Sequence, residues 1–242
     1  MEPILLQARG LTKRFGVNTV LAGVDFSVRS GEAVGIVGPN GAGKTTLLSA
    51  LAGSFQVNTG IILMRDRDIT PLDAARRCRL GISRSHQVPR PFTGMTVFEN
   101  VLTAAMHGGG FRQSEAYDRS IDAVNLCGML STANRKAETL GLLDRKRLEL
   151  TRALATHPDL LLLDEIGGGL TDSEAQELVE TIRTLRGRGI TIVWIEHIVH
   201  VLVQVVERLI CMDSGRIIAD GPPQAVLSDA TVVSAYLGGQ RS

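Results

Sequence analysis

The chain contains few cysteines, and none is placed to form a metal site or a disulfide framework. The three cysteines, Cys78, Cys127 and Cys211, lie far apart, and no Cys-x-x-Cys pair occurs in the 242 residues. An odd, scattered set is not the pattern of a secreted, disulfide-bonded protein. We therefore expect a reducing compartment, the cytosol.

Long apolar runs are also missing. No stretch reaches the roughly 18 apolar residues that a membrane-spanning helix needs. The opening residues, Met-Glu-Pro-Ile-Leu-Leu-Gln, lack the basic region and long apolar core of a signal peptide. Any role at a membrane would therefore depend on a partner.

Neither sign of charge is in excess. The 26 basic and 25 acidic residues leave a net charge of +1, whereas a nucleic-acid-binding surface usually makes a domain strongly basic. We expect no nucleic-acid partner. A length of 242 residues with 44% hydrophobic residues fits one large α/β domain, with room for an inserted subdomain.

The most specific signal is a glycine-rich segment, Gly38–Thr45, which fits the phosphate-binding pattern G-x-x-x-x-G-K-[ST]. It follows an apolar run that predicts a buried strand, and it precedes a helix whose N-terminus would face an anion. The glycines let backbone N–H groups close around phosphate oxygens, Lys44 supplies a cation for the β- and γ-phosphates, and the Thr45 hydroxyl can bind Mg²⁺. The predicted nucleotide-binding residues are Gly38, Pro39, Asn40, Gly41, Ala42, Gly43, Lys44, Thr45 and Thr46.

A second signal is a pair of acids after four leucines, Leu160–Leu163 followed by Asp164 and Glu165. Ligands of open parallel sheets bind at the carboxyl ends of the strands. Asp164 is suited to orient Mg²⁺ or its waters, and Glu165 to polarise a water for attack on the γ-phosphate.

Three further residues acquire meaning only from their positions. His197 follows the apolar strand 190–195 and could orient the attacking water, although a lone histidine at a strand end is usually a surface residue. Gln87, at the start of a helical block, could contact both Mg²⁺ and that water, but a lone glutamine predicts nothing. Phe15 could stack on a nucleobase, but in isolation an aromatic residue here is more often part of the core.

The secondary-structure pattern places these motifs on an α/β framework. Residues 4–37 indicate short strands, and residues 88–155 indicate helices with loops. Residues 71–82 predict a basic amphipathic helix, with Arg76, Arg77 and Arg79 on the face opposite Leu72, Ala75 and Leu80. A regular α/β alternation then resumes, with a helix at 173–186 whose Ser173 and Gln176 form a plausible capping box, and another helix at 198–206.

Taken together, these motifs resemble the nucleotide-binding subunit of an ABC transporter over nearly the whole chain. In that family's pattern, Phe15 matches the adenine-stacking position, residues 38–45 match Walker A, Gln87 the Q-loop, 160–165 Walker B with its catalytic Glu, and His197 the switch histidine. The resemblance implies a single ABC ATPase domain over 1–242. Its α/β, P-loop NTPase core (about 1–87 and 156–242) has a RecA-like, mostly parallel sheet and an N-terminal antiparallel β subdomain, and about 88–155 form an inserted helical subdomain.

A narrower resemblance, to the branched-chain amino acid importer group, lies in residues 81–87, 92–101 and 235–238. Membership would imply ATP and Mg²⁺, with Thr45, Gln87 and Asp164 at the metal. It would also imply a transmembrane permease, a second ATPase subunit, a separate solute-binding protein, and a peripheral position on the cytoplasmic face of the membrane. Residues 88–92 are the predicted permease contact.

The chain departs from the family at the LSGGQ signature, which contacts the ATP of the opposite subunit. The aligned residues after Leu140 are Gly141, Leu142, Leu143 and Asp144. Gly141 has no hydroxyl to donate, and two leucines replace bare backbone, so this trans element would be weakened. We therefore expect one competent site in a heterodimer, formed by this chain's Lys44 and Glu165.

Two other classes remain open at this stage. One is a soluble ABC-type ATPase that is not coupled to transport and acts on nucleic acid or ribosomes; such chains usually fuse two cassettes or carry basic extensions, and this sequence shows neither. A P-loop kinase would leave His197 and the Leu140 segment unexplained.

Overall fold

A computed structural model describes residues 2–238 as two sheets with helices packed against them. The strands are β1 (Ile4–Phe15), β2 (Asn18–Arg29), β3 (Ala33–Val37), β4 (Thr59–Met64), β5 (Arg67–Asp68), β6 (Ile82–Arg84), β7 (Leu160–Asp164), β8 (Thr191–Ile195), β9 (Arg208–Asp213) and β10 (Arg216–Gly221). The helices are α1 (Lys44–Ala52), α2 (Ala74–Arg79), α3 (Val97–Thr103), α4 (Gln113–Leu126), α5 (Leu142–Ala155), α6 (Asp172–Gly187), α7 (Val199–Leu202), α8 (Pro223–Leu227) and α9 (Ala230–Gly238).

The first sheet is antiparallel, in the order β2-β1-β4-β5, and the second has the order β10-β9-β3-β8-β7-β6. In the second sheet every pair except β9–β10 is parallel. Parallel strands bring their carboxyl ends to one edge. The loops after β3, β6, β7 and β8, which carry the predicted site residues, therefore meet at that edge.

The parallel sheet is apolar on both faces, which explains the uninterrupted leucines of β7. Leu160 and Leu162 pack in a core with α1 and the antiparallel sheet, whereas Leu161 and Leu163 pack in a second core. The second core includes buried residues of α3, α4 and α5. Because side chains alternate along the strand, one face of the sheet packs against α1 and the other packs against helices α3, α4 and α5.

The predicted domain boundaries remain a prediction, but the elements can be located relative to them. Helices α3 to α5 all lie between residues 88 and 155, the predicted helical subdomain. The ends of the predicted domain, Met1 and residues 239–242, lie outside the described residues. Within residues 2–238, every helix is too short or too polar to span a bilayer.

The helix predicted at 71–82 is shorter, and one of its arginines lies on the opposite side from the one predicted. Helix α2 covers Ala74–Arg79, capped by Asp73, and Arg77 is only 1% exposed. Its guanidinium donates to the carbonyl oxygens of Leu72, Thr70, Ala50 and Leu51. Ala50 and Leu51 lie in the last turn of α1, where carbonyls lack i+4 helical partners, and Ala50 also accepts from the N–H of Gly53. These hydrogen bonds therefore stabilise the charged guanidinium of Arg77 in a buried position.

Two other local predictions need correction. The capping box of α6 is formed by Thr171 and Glu174, not by Ser173 and Gln176, because the helix begins one residue earlier, at Asp172. The helix predicted from 198 to 206 is a single turn, Val199–Leu202.

Candidate active site

The glycine-rich loop between β3 and α1 needs glycine at two of its positions. Gly38 has φ 144°, and a Cβ there would lie 2.0 Å from the carbonyl oxygen of Met212. Gly43 has φ 100°, and its Cβ would lie 2.7 Å from the carbonyl oxygen of Val20. Only a residue without a side chain fits these contacts. The loop is thus clamped between β9 and β2, with the N-terminus of α1 behind it.

Lys44 is folded back over this loop. Its Nζ donates to the carbonyl oxygens of Gly38, at 2.7 Å, and Pro39, at 3.0 Å, and the residue is 5% exposed. Burial lowers the pKa of Lys44 from its ordinary value, and the negative charges of Glu165 and Asp164 partly oppose that shift. The ammonium group lies where phosphate oxygens cradled by the loop would meet it.

The two predicted phosphate and metal motifs are in contact. Oγ1 of Thr45 donates to Oδ1 of Asp164 at 3.1 Å, although the residues are 119 positions apart. Asp164 is the last residue of β7 and is 2% exposed. Thr45 is the second residue of α1, in the first turn after the glycine-rich loop.

The carboxylate of Glu165 contacts two of the predicted site residues, Gln87 and His197. Strand β7 ends before it, and Glu165 adopts φ 47° while its N–H donates to the carbonyl oxygen of Ile195. Nε2 of Gln87 donates to Oε2 of Glu165, and Nε2 of His197 lies 2.8 Å from Oε1. The turn after β7 therefore presents one carboxylate to an amide from the β6 edge and an imidazole from the β8 edge.

A cavity of about 180 Å³ lies between the loop and this carboxylate. Its lining residues are Val20, Asn40, Gly41, Ala42, Gly43, Lys44, Thr45, Thr46 and Glu165. Phe15, at the end of β1, lies outside this lining. It is 50% exposed and packs edge-on against Phe55 at 5.5 Å. Its role in stacking adenine remains a prediction.

The donor atoms fit Mg²⁺. A hydroxyl and a carboxylate stand side by side at Thr45 and Asp164, and Mg²⁺ bound with substrate phosphates takes one or two protein oxygens. No cluster of three or more His, Cys, Asp or Glu side chains suited to a metal occurs within residues 2–238. Gln87 contacts Glu165 in this structure, and its part in the metal site remains a prediction.

The structure adds residues to which the sequence analysis gave no role. Nη2 of Arg84 lies 2.6 Å from Oδ2 of Asp164, and the arginine side chain is 12% exposed. Lys146 and Glu196 are buried beside the turn that follows β7. Nζ of Lys146 lies 3.4 Å from the carbonyl oxygen of Glu165, and Glu196 accepts from the N–H of Gly167. The sequence signal that could have identified these three residues is a charged residue within or next to an apolar strand or helix face.

The residues that align with the family's signature, Gly141–Asp144, lie at the start of α5. Gly141 is the N-cap and provides no side-chain hydrogen bond, so the first N–H groups of the helix lack a hydroxyl partner. Leu142 is 46% exposed, and its Cδ2 lies 3.3 Å from the position of a Cβ at Gly169. Asp144 lies in the first turn, 3.8 Å from Arg147. The leucine side chain thus covers part of the chain's own loop after Glu165.

Comparisons with known families agree with this geometry. A family model described as ABC transporter matches residues 21–167. A second model, described as branched-chain amino acid ATP-binding cassette transporter, matches residues 216–241.

Curated relatives match over almost their full length. The high-affinity branched-chain amino acid transport ATP-binding protein LivG of Escherichia coli strain K12 is 36% identical, over 98% of this chain and 99% of the relative. BraF of Pseudomonas aeruginosa, of the same description, is 33% identical with the same coverage. The lipopolysaccharide export system ATP-binding protein LptB of Acidithiobacillus ferridurans is 34% identical, over 98% of each chain.

Solved structures share the fold. An ATP-binding cassette of an ABC transporter in its ADP conformation superposes with a TM-score of 0.89 at 30% identity, covering 97% of this chain and 99% of the other. A nucleotide-free cassette superposes with a TM-score of 0.88 at 29% identity, covering 96% and 98%.

Proposed function

The chain belongs to the ABC transporter family as an ATP-hydrolysing subunit, and from that premise we propose that it energises an importer of branched-chain or related amino acids. The observation that supports the ATPase part of the proposal is the convergence of Gln87 and His197 on Glu165, beside the Thr45–Asp164 pair. This grouping is the one that the proposed cis site for splitting ATP requires.

The proposed roles follow from these contacts. The loop Gly38–Thr45 and Lys44 hold the phosphates, and Phe15 stacks on the adenine. Thr45 and Asp164 hold Mg²⁺, which, when bound, supplies positive charge against the developing charge on the phosphates. Glu165 takes the proton of the attacking water, while His197 and Gln87 fix the direction of its carboxylate.

The amino-acid substrate rests on similarity. LivG and BraF are described as branched-chain amino acid transport ATP-binding proteins, and the match at residues 216–241 is to a model of that same group. LptB, at 34% identity, serves lipopolysaccharide export, so overall identity alone does not separate the two substrates. The C-terminal match favours the amino acids.

Uptake by the assembled transporter tests this substrate. The chain, together with the ATPase and permease subunits that co-purify with it, would be reconstituted in vesicles with the solute-binding protein, and labelled leucine, isoleucine and valine offered. We expect MgATP-dependent uptake that Lys44→Ala reduces strongly. MgATP hydrolysis without uptake of any of the three, or of a related amino acid, would refute the amino-acid substrate while leaving the ATPase assignment intact.

We also propose that this subunit works in a heterodimer with one competent site. The predicted cis residues are present in the sequence, whereas Gly141 offers no hydroxyl, and Leu142 and Leu143 offer no bare glycine backbone, to an opposite ATP. A different subunit with an intact signature would complete the site formed by Lys44 and Glu165. The site formed by the partner's own Walker motifs would face the weak signature.

Matched lysine substitutions test the asymmetry. Lys44→Ala here, and the equivalent change in the partner, would be compared in the same complex by phosphate release. We expect the change in this chain to cause the much larger loss. Equal losses would show that both sites contribute alike, and the asymmetry would be wrong.

The proposed contact with the permease is the segment 88–92, on the cytoplasmic face of the membrane. Val88 is 66% and Phe92 47% exposed, yet the segment is firmly anchored. The N–H of Phe92 donates to Oδ1 of Asn100, and the Arg152 guanidinium lies 5.1 Å from the Phe92 ring. An exposed aromatic side chain held on a fixed backbone suits an anchor for a partner.

Phe92→Ala tests the contact against Val17→Ala, a control at the fully exposed β1–β2 turn. We expect Phe92→Ala to reduce co-purification of the permease and to leave nucleotide binding unchanged. Equal recovery of the permease with both variants would place the contact elsewhere.

A further inference from the structure

Arg84 makes an ion pair with the predicted metal ligand Asp164 that the assigned motifs do not account for. Strand β6 pairs with β7 so that Arg84 lies beside Leu162. Leu162 faces α1, as do Ile82 and Leu160 in the same core. Because side chains two apart on a strand share a face, Arg84 and Asp164 both project toward α1 and the phosphate loop.

The guanidinium connects three elements. Its Nη2 lies 2.6 Å from Oδ2 of Asp164, and its Nη1 donates to Oγ of Ser49 at 2.8 Å. Oγ of Ser49 in turn donates to the carbonyl oxygen of Thr45 at 2.6 Å. The arginine therefore contacts the carboxylate directly and the Thr45 turn through one serine.

The two oxygens of Asp164 are divided between two neighbours. Oδ1 accepts from the Thr45 hydroxyl and Oδ2 meets Arg84. A carboxylate with both oxygens engaged has little freedom to rotate, and charge-assisted contacts are the stronger ones. With Asp164 2% exposed, removal of the guanidinium would leave a buried carboxylate free to turn toward Lys44 or away from Thr45.

We propose that Arg84 is a positioning residue for the metal site: it holds Oδ2 of Asp164 so that Oδ1 stays beside Thr45, the place where the Mg²⁺ of MgATP is to be bound. The inference rests on the proposed roles of Thr45 and Asp164. Arg84 itself does not line the cavity beside the phosphate loop, so its effect is on the metal contribution to binding and not on the grip of the phosphates.

The test compares nucleotide affinity with and without the metal, in the full chain. A fluorescent ATP analogue would be titrated in excess EDTA and in Mg²⁺, and the ratio of the two dissociation constants measured. The variants are Arg84→Met, Arg84→Lys, Ser49→Ala, Asp164→Asn and Thr45→Ala. Arg79→Met, an exposed arginine of nearby α2, is the matched control.

We expect Arg84→Met to reduce the Mg²⁺ enhancement about tenfold, the size of one lost charge-assisted hydrogen bond. The metal-free affinity should stay near that of the wild type. Arg84→Lys keeps the charge and should retain part of the enhancement, and Ser49→Ala should lose less than Arg84→Met. Arg79→Met should leave the ratio unchanged.

The possible outcomes distinguish a failure of the proposed role of Arg84 from a failure of the proposed metal site. If Asp164→Asn and Thr45→Ala lower the ratio while Arg84→Met and Arg84→Lys do not, Arg84 has no positioning role. An equal loss of affinity with and without Mg²⁺ would show that Arg84 only supports the fold. If none of the five variants changes the ratio, the metal site is wrong and this inference with it. Should Arg84→Met fail to fold, as judged by thermal unfolding, Arg84→Lys and Ser49→Ala decide the question by the same ratio.

Discussion

Nε2 of His197 lies 2.8 Å from Oε1 of Glu165, so the imidazole that follows β8 touches the carboxylate that follows β7. Neighbouring strands of a parallel sheet make this contact possible, because their carboxyl ends share an edge. Gln87 approaches the other oxygen from the loop after β6. Contacts to both oxygens fix the orientation of the Glu165 carboxylate. A general base needs such a fixed orientation toward the water from which it takes a proton.

Glu165→Gln is expected to lower the rate of ATP hydrolysis about 10²- to 10⁴-fold, the usual contribution of a general base. The amide still accepts one hydrogen bond, so MgATP binding should be retained. Phosphate release in the complex with the partner subunit and calorimetric nucleotide binding would measure the two effects. Glu180→Gln, on the exposed face of α6, is the control. A variant that hydrolyses ATP at the wild-type rate would remove Glu165 from the proposed mechanism.

Restoring the signature should strengthen activity in assemblies of this chain alone. The triple change Gly141→Ser, Leu142→Gly and Leu143→Gly provides a hydroxyl and bare backbone at the start of α5, and a serine N-cap also suits the helix. One restored donor at a developing charge would raise ATPase activity about 10²- to 10³-fold.

A matched variant isolates the hydroxyl. Gly141→Ala combined with the same two glycine changes has the backbone but not the donor, and Gly141 has nothing within 4 Å of an added Cβ. We expect it to gain much less ATPase activity. Equal activity of the serine variant and the unmodified chain would show that the signature does not limit turnover.

The sequence predicted what depends on short spacings and strand order. The Gly38–Thr45 pattern is local, and the acids of β7 follow a run whose length and composition predict a buried strand. Arg84 was not assigned a role, because its contact with Asp164 spans 80 residues and depends on the register of β6 against β7. The capping box was misplaced by two residues, because both Thr171 and Ser173 have suitable side chains three positions before Glu174 and Gln176.

The burial of Arg77 could not be predicted from the helical periodicity of the sequence. Its neighbours Arg76 and Arg79 are exposed, as a basic helix face requires, but Arg77 turns inward to the last carbonyls of α1. Burial lowers the pKa of Arg77 to about 10. The side chain remains charged at neutral pH and serves as a hydrogen-bond donor to the helix that carries Lys44 and Thr45.

Arg77→Met should therefore destabilise the fold. It removes the Arg77 donor from the carbonyl oxygens of Leu51 and Ala50, of which Ala50 still accepts from the N–H of Gly53. A buried carbonyl oxygen left without a donor costs about 1–3 kcal/mol, while the cost of burying the charge is removed. We expect a net loss of about 2–4 kcal/mol in the free energy of unfolding, measured in urea. Arg76→Met, on the exposed side of the same helix, is the control and should change stability by less than about 0.5 kcal/mol. Equal unfolding midpoints for the two variants would contradict the capping role.

The three thiols should differ in reactivity. Burial raises the pKa of Cys127 and of Cys211 to about 11, so only about one molecule in a thousand carries either thiolate at pH 8. Cys78 is half-buried and lines a cavity of about 330 Å³ beside Arg90 and Arg152. A disulfide reagent should therefore modify one thiol quickly and the other two only after unfolding.

The raised pKa values of the two buried thiols predict how stability depends on pH, and the position of Cys78 predicts that permease binding slows its modification. Because folding raises the pKa of Cys127 and Cys211 from 9.0, the folded chain keeps protons that the unfolded chain loses, so the free energy of unfolding should fall as pH rises from 9 to 11.

Cys78→Ser should abolish the fast phase of modification. Bound permease should slow that phase, because the cavity also contains Arg90 of the proposed contact segment. A fast phase that survives Cys78→Ser, or two fast thiols in the folded protein, would contradict the burial of Cys127 and Cys211.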